Sequence, residues 1–105
     1  MAEIYTTGNW TPKPGEEQAF VEAWTKFADW AHSMPGAGTL RLARDSEDAT
    51  KFVSFGRWES ADAAHTWKAS PEFPERMGRV QQHVAEFRPA ELEIVAEVRG
   101  APVGA

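Results

Sequence analysis

Apolar positions change period several times along the chain, and each change marks a new element. Residues 3–11 carry the β-prone side chains Ile4, Tyr5, Thr6, Thr7 and Trp10 and run into the Pro12-Lys13-Pro14-Gly15 cluster, which predicts a first strand closed by a turn. Over residues 16–33 the period becomes helical. Phe20, Trp24, Phe27 and Ala31 recur on one face, Glu16 and Glu17 sit where a helix N-terminus favours negative charge, and Pro35-Gly36 ends the run. Alternation returns over residues 39–44, with Leu40 and Leu42 on one side and Arg41 on the other, and again over residues 51–59. The polar turn Asp45-Ser46-Glu47-Asp48 between these stretches makes them an antiparallel hairpin.

Ser60 is placed to cap a short helix with Asp62 in its first turn and Ala63, Ala64 and Trp67 along it, before Ser70-Pro71 interrupts. A further helix starts near Pro71 or Pro74, and its apolar stripe is read as Met77, Val80, Val84 and Phe87. Beyond Pro89, the residues Leu92, Ile94, Ala96 and Val98 alternate with Glu91, Glu93 and Glu97, which predicts a half-buried last strand with one acidic face. Residues 100–105 read as a loose tail. The order strand, helix, strand, strand, helices, strand predicts an α+β fold, the ferredoxin-like split βαβ, with a four-stranded antiparallel sheet and helices on one face. Trp10 and Trp58 each close a strand just before a helix, as a two-fold pseudo-repeat would place them. The uncovered sheet face then calls for a second copy, so a homodimer through the sheet faces is expected.

Composition narrows the function classes. The chain has 105 residues, room for a single domain with a core over residues 3–98 and a tail after it. Its net charge is −5, with Lys and Arg scattered among acids, so nucleic acid is not an expected partner. Cysteine is absent, which closes thiolate metal sites, disulfides and thiol nucleophiles. The chain opens without a basic and apolar leader pattern, and no apolar run reaches the roughly 18 residues of a membrane span, so a cytoplasmic protein without membrane partners is expected. Five Trp and six Phe in so short a chain are the unusual feature, since aromatics supply large flat faces for a core or a ligand.

The stretch from Phe55 through Gly56-Arg57-Trp58-Glu59-Ser60-Ala61-Asp62-Ala63-Ala64-His65, followed by Ser70-Pro71-Glu72-Phe73, resembles the strand-to-helix signature of the antibiotic biosynthesis monooxygenase family. The Pro14-Gly15-Glu16-Glu17 opening of the first helix and the Pro35-Gly36 turn after it fit as well, and the resemblance covers residues 3–98. It implies a dimeric α+β barrel with a ligand cleft between each sheet and its helices. Members include monooxygenases that oxidise phenolic or anthrone-like compounds without flavin, metal or haem, and also haem-degrading enzymes.

The resemblance assigns candidate residues one by one. Trp58 matches the signature tryptophan at the cleft, with an indole N–H able to donate to a substrate oxygen, or else it packs the strand end. Trp67 matches the cleft tryptophan of the haem-degrading branch. Ser54 stands where some members carry asparagine, and Arg76 lies near an anion-stabilising arginine. The iron-ligating histidine of the haem branch is replaced by Met77, and that branch's first-strand asparagine falls at Gly8 with Asn9 one residue off, which disfavours haem cleavage; a Met77 or His83 ligand keeps haem binding open. His65, one turn into the helix after Trp58, is the candidate base because an imidazole accepts protons near neutrality. The expected function is a cofactor-independent oxidation by dioxygen of a small phenolic, anthrone- or quinol-type aromatic, with His65 and Trp58 catalytic and Trp67, Ser54, Arg76, Met77 and Asn9 binding substrate. The alternative is a dimer that holds a small hydrophobe without turning it over. No metal site is expected, since no histidine pair has ligand spacing.

Overall fold

The computed structural model describes residues 3–101. In chain order the elements are β1 (Ile4–Pro12), α1 (Glu17–His32), β2 (Ala37–Arg44), β3 (Phe52–Trp58), α2 (Ala61–Lys68), α3 (Phe73–Gln81) and β4 (Val84–Glu93). The strands form one antiparallel sheet in the order β2-β3-β1-β4, the ferredoxin-like arrangement. One face of the sheet carries the three helices, and no element among the described residues covers the other.

Local chemistry accounts for the element ends. The α1 face Phe20, Trp24, Phe27 and Ala31 is buried at four- and three-residue spacing. After α1, Gly36 takes a φ of 84°, in the left-handed region where a glycine meets no steric penalty. At the start of α2 the Ser60 hydroxyl accepts the Ala63 N–H at 3.1 Å, the expected cap. Pro74 occupies the first turn of α3, where its missing N–H costs nothing. In the β2–β3 turn Asp45 Oδ1 accepts the N–H groups of Glu47 and Asp48, and hydrogen bonds from Thr50 hold the Asp48 carboxyl below its ordinary range.

Two expectations are corrected at the C-terminal end. The α3 stripe was expected to run through Val84 and Phe87, but the helix stops at Gln81 and both residues belong to β4. The last strand was expected to begin after Pro89 and to continue through Val98; instead it spans Val84–Glu93 with Pro89 inside it, and residues 94–101 adopt no regular element. β4 lies at the sheet edge and pairs only with β1, so a proline there leaves no ladder partner unsatisfied. Most of the expected tail, residues 102–105, lies outside the described residues.

Register decides which side chains meet the helices. Thr6, Gly8 and Trp10 face them together with Gly56, Ser54 and Phe52 of β3 and Glu91, Pro89 and Phe87 of β4. The acidic positions Glu91 and Glu93 therefore belong to the helix side, and the open side of β4 presents Arg88, Ala90 and Leu92. Tyr5, Thr7, Val53 and Phe55 complete the centre of that open face, where Val53 and Leu92 are 40% and 49% exposed.

A methyl group built on Gly8 would stand 2.7 Å from the Trp10 Nε1 and 2.8 Å from Phe87, whereas one on the helical Gly78 meets nothing within 4 Å. Gly8→Ala is expected to destabilise the fold by about 1–3 kcal/mol through overpacking. Gly78→Ala is expected to stabilise it by about 0.5–1 kcal/mol through backbone entropy and helix propensity. Urea unfolding of the two variants checks both signs.

Candidate active site

The centre of the sheet contains a duplicated pattern, Thr6-x-Gly8-x-Trp10 on β1 and Ser54-x-Gly56-x-Trp58 on β3. Antiparallel pairing sets Gly8 opposite Ser54 and Thr6 opposite Gly56. Each tryptophan reaches diagonally across the pair. Trp10 Nε1 donates to the Ser54 hydroxyl at 2.9 Å, and Trp58 Nε1 donates to the Thr6 hydroxyl at 3.0 Å. The glycines make room: Trp10 folds back over Gly8, and Leu40 packs directly against Gly56.

Above this floor lies a cavity of about 260 Å³. Trp24 and Phe27 of α1, Trp67 of α2, and Phe73 and Met77 of α3 close it on the helix side, and Phe87 of β4 borders it. The rings are ordered by one another. Trp67 stacks on the buried Trp58 at 4.8 Å and 25°, Phe73 stands nearly perpendicular to Trp67 at 5.1 Å, and Phe87 stacks on Trp10 at 3.9 Å. The polar groups are few. The Thr6 and Ser54 hydroxyls each accept one indole N–H and keep a hydrogen of their own to donate. Trp67 Nε1 is buried without a hydrogen-bond partner among the described residues, and the exposed Lys68 is the one charged residue bordering the cavity.

The residues expected at the site are partly brought together. Ser54, Trp67 and Met77 line the cavity. Trp58 does not: it is fully buried beneath Trp67, and its N–H is engaged by Thr6 instead of being free for a substrate oxygen. His65 is also outside. Its ring is 59% exposed and its Nε2 lies 3.1 Å from Glu91 Oε2, because two residues of separation on a helix turn it roughly 200° away from Trp67. The expected grouping of both indoles and the imidazole around one void is therefore not formed. Asn9 is exposed on the open face of β1, one residue out of phase with Trp10. Arg76 pairs with Glu72 at 3.1 Å and lies 5.0 Å over the Trp30 ring. It belongs to a second hollow of about 410 Å³ between α1 and α3, with Lys26, Arg79 and His83, where Arg79 and His83 are engaged by Glu75 and Glu16. Sequence reading missed Thr6, Trp10, Trp24 and Lys68; the repeated hydroxyl-x-Gly-x-Trp pattern was the available signal for the first two.

Haem does not fit this cavity well. Met77 is its single sulfur or imidazole ligand, already 3.7 Å from the Gln81 amide, and His83 faces the other hollow.

A ferredoxin-like α+β domain with an aromatic cavity between its layers is the class defined by these features. The antibiotic biosynthesis monooxygenase family matches residues 4–79, and the chain belongs to that family. Its fold is similar to a single-residue variant of SnoaB, a cofactor-independent oxygenase from Streptomyces nogalater, with a TM-score of 0.86 at 16% identity over 93% of this chain and 98% of that one. It is also similar to a conserved protein from Methanosarcina mazei Go1, with a TM-score of 0.78 at 14% identity over 88% and 92% of the two chains. No curated protein sequence matches it significantly.

Ser54→Ala is expected to leave the Trp10 N–H unpaired in a buried position and to cost about 1–3 kcal/mol in thermal or urea unfolding. Ser54→Thr keeps the hydroxyl and should recover most of the loss.

Proposed function

We propose that the chain is a cofactor-independent monooxygenase that oxidises a small aromatic compound of phenolic, anthrone or quinol type in the cavity above Thr6 and Ser54. The aromatic-walled cavity between sheet and helices carries this reading: it accepts a planar ring system and removes it from water. Ser54, Trp67 and Met77 are the binding residues from the expected set, joined by Thr6.

Such a substrate supplies all the electrons. A ring methylene activated by neighbouring carbonyl or phenol groups loses a proton, and the carbanion passes one electron to dioxygen. The radical pair combines to a carbon-bound peroxide, which loses water and leaves a ketone, so that methylene plus dioxygen gives carbonyl plus water. Hydrogen-bond donors around the cavity favour the anion over its acid and so lower the substrate's own pKa. The proton then passes to water, and His65, lying outside, is not needed as a base.

The open sheet face supports assembly into a dimer. Tyr5, Val53, Phe55, Ala90 and Leu92 form an apolar centre there, flanked by Arg41, Arg57 and Arg88, and a second copy covering it would complete a dimeric α+β barrel. Sedimentation is expected to give a dimer, and Val53→Glu a monomer.

The catalytic reading is tested with an oxygen electrode and a dihydroxyanthrone. Protein should accelerate dioxygen uptake above the spontaneous rate, with one anthraquinone formed per dioxygen. Trp67→Ala should lower the rate on the order of tenfold or more by loosening the ring's position, and His65→Ala should leave it unchanged. Retention of the anthrone without acceleration contradicts catalysis and favours the ligand-holding alternative.

A further inference from the structure

Two hollows adjoin α1, and one side chain stands between them. The aromatic cavity over the sheet is about 260 Å³, and the hollow between α1 and α3, about 410 Å³, is bordered by Lys26, Arg76, Arg79 and His83 with a single carboxylate, Glu22. Among the described residues Phe27 is the one that borders both. The helical period explains why. Successive side chains turn by about 100°, so Trp24 and Ala28 fall roughly 60° and 100° to one side of Phe27, toward the cavity. Ala23 and Lys26 fall roughly 40° and 100° to the other side, toward the hollow. The facing helix divides in the same way, with Phe73 and Met77 on the cavity and Arg76 and Arg79 on the hollow. Phe27 is 6% exposed, and its ring centroid lies 5.7 Å from Trp67 and 5.8 Å from Phe73, both of the cavity wall. It also lies 5.9 Å from Trp30, whose ring carries the Arg76 guanidinium at 5.0 Å.

We infer that Phe27 is a specificity-determining residue: it closes the cavity toward α3 and stops the bound ring system at two or three fused rings. An apolar cavity of about 150 Å³ takes one benzene ring, so one of about 260 Å³ has room for two or three and no more. A longer ring system would have to pass through the place of the Phe27 side chain, and its far end would emerge among Lys26, Arg76 and Arg79. The inference rests on the cavity being the substrate site. A Phe27 that served packing alone would, when shortened, weaken every ligand alike; a partition changes which length is preferred.

Three probes with one phenolic head test this: 2-naphthol, 6-phenyl-2-naphthol and 6-(4-carboxyphenyl)-2-naphthol, titrated by quenching of tryptophan fluorescence in the full chain. The unsubstituted chain should prefer 2-naphthol to both longer probes. Phe27→Ala should shift the ratio of phenylnaphthol to naphthol affinity toward the longer probe by roughly tenfold or more, the effect of burying one further ring. Phe27→Leu removes less of the wall and should shift the ratio the same way by about two- to fivefold, so the test stands if the alanine variant does not fold. In whichever variant is used, the carboxyphenyl probe should bind about two- to fivefold more tightly than the phenyl probe, the range of an exposed ion pair, and Lys26→Met should remove most of that gain. A ratio that neither substitution moves, or a carboxylate gain indifferent to Lys26, overturns the partition while the cavity remains a binding site. Failure of 2-naphthol to bind the unsubstituted chain removes the cavity itself, and the proposed function falls with it.

Discussion

The reciprocal pair of indole-to-hydroxyl hydrogen bonds across β1 and β3 is the constraint on which the rest of the architecture depends. Trp10 on Ser54 and Trp58 on Thr6 place two large rings at opposite ends of the same strand pair. Between them the floor holds small residues, Gly8 and Gly56 with the two hydroxyls, so the middle of the sheet is low and its ends are high. A helical layer resting on those ends leaves a space above the middle. Each bond is worth about 0.5–1.5 kcal/mol net, yet each also removes a buried donor that would otherwise be unpaired. Geometry matters more here than the energy: the bonds fix the direction in which both indoles point.

That direction redistributes roles among the tryptophans. With its N–H committed to Thr6, Trp58 becomes a platform, fully buried, on which Trp67 stacks. Trp67 is then held against Phe73 and Phe27 with its own N–H left over. A ring pinned on three sides by other aromatics is a rigid wall, and rigid walls are what orient a planar substrate for reaction. Catalytic demand on such a site is modest when the substrate carries its own reducing equivalents; excluding water, aligning the ring and stabilising negative charge are sufficient tasks.

Much of the fold is legible in the chain. The period changes locate β1, α1, the β2–β3 hairpin and the capped α2, because each is bounded by local chemistry: Pro14-Gly15, Pro35-Gly36, Asp45 and Ser60. The C-terminal third is less readable for a physical reason. Met77, Val80, Val84 and Phe87 keep helical spacing across a true helix end at Gln82 that no glycine or proline marks, and Pro89 looks like a boundary unless the strand is known to lie at the edge. The site was partly legible: Ser54, Trp67 and Met77 line the cavity. His65 could have been set aside from its two-residue offset to Trp67, and Asn9 from its one-residue offset to Trp10, since side-chain direction follows directly from the helical and strand periods. The occupancy of the Trp58 N–H was not legible, because it depends on the cross-strand register that brings Thr6 within reach.

The most direct measurement of this account is the set of indole N–H resonances in a nitrogen-15 labelled sample, followed as naphthoate is added. The Trp10 and Trp58 signals should hold their positions through the titration, since both hydrogen bonds are internal, and the Trp67 signal should move under the ring current of the bound naphthalene, since its ring forms part of the cavity wall. A Trp58 signal that moves while the Trp67 signal stays in place would contradict the assignment of roles from which the site is built.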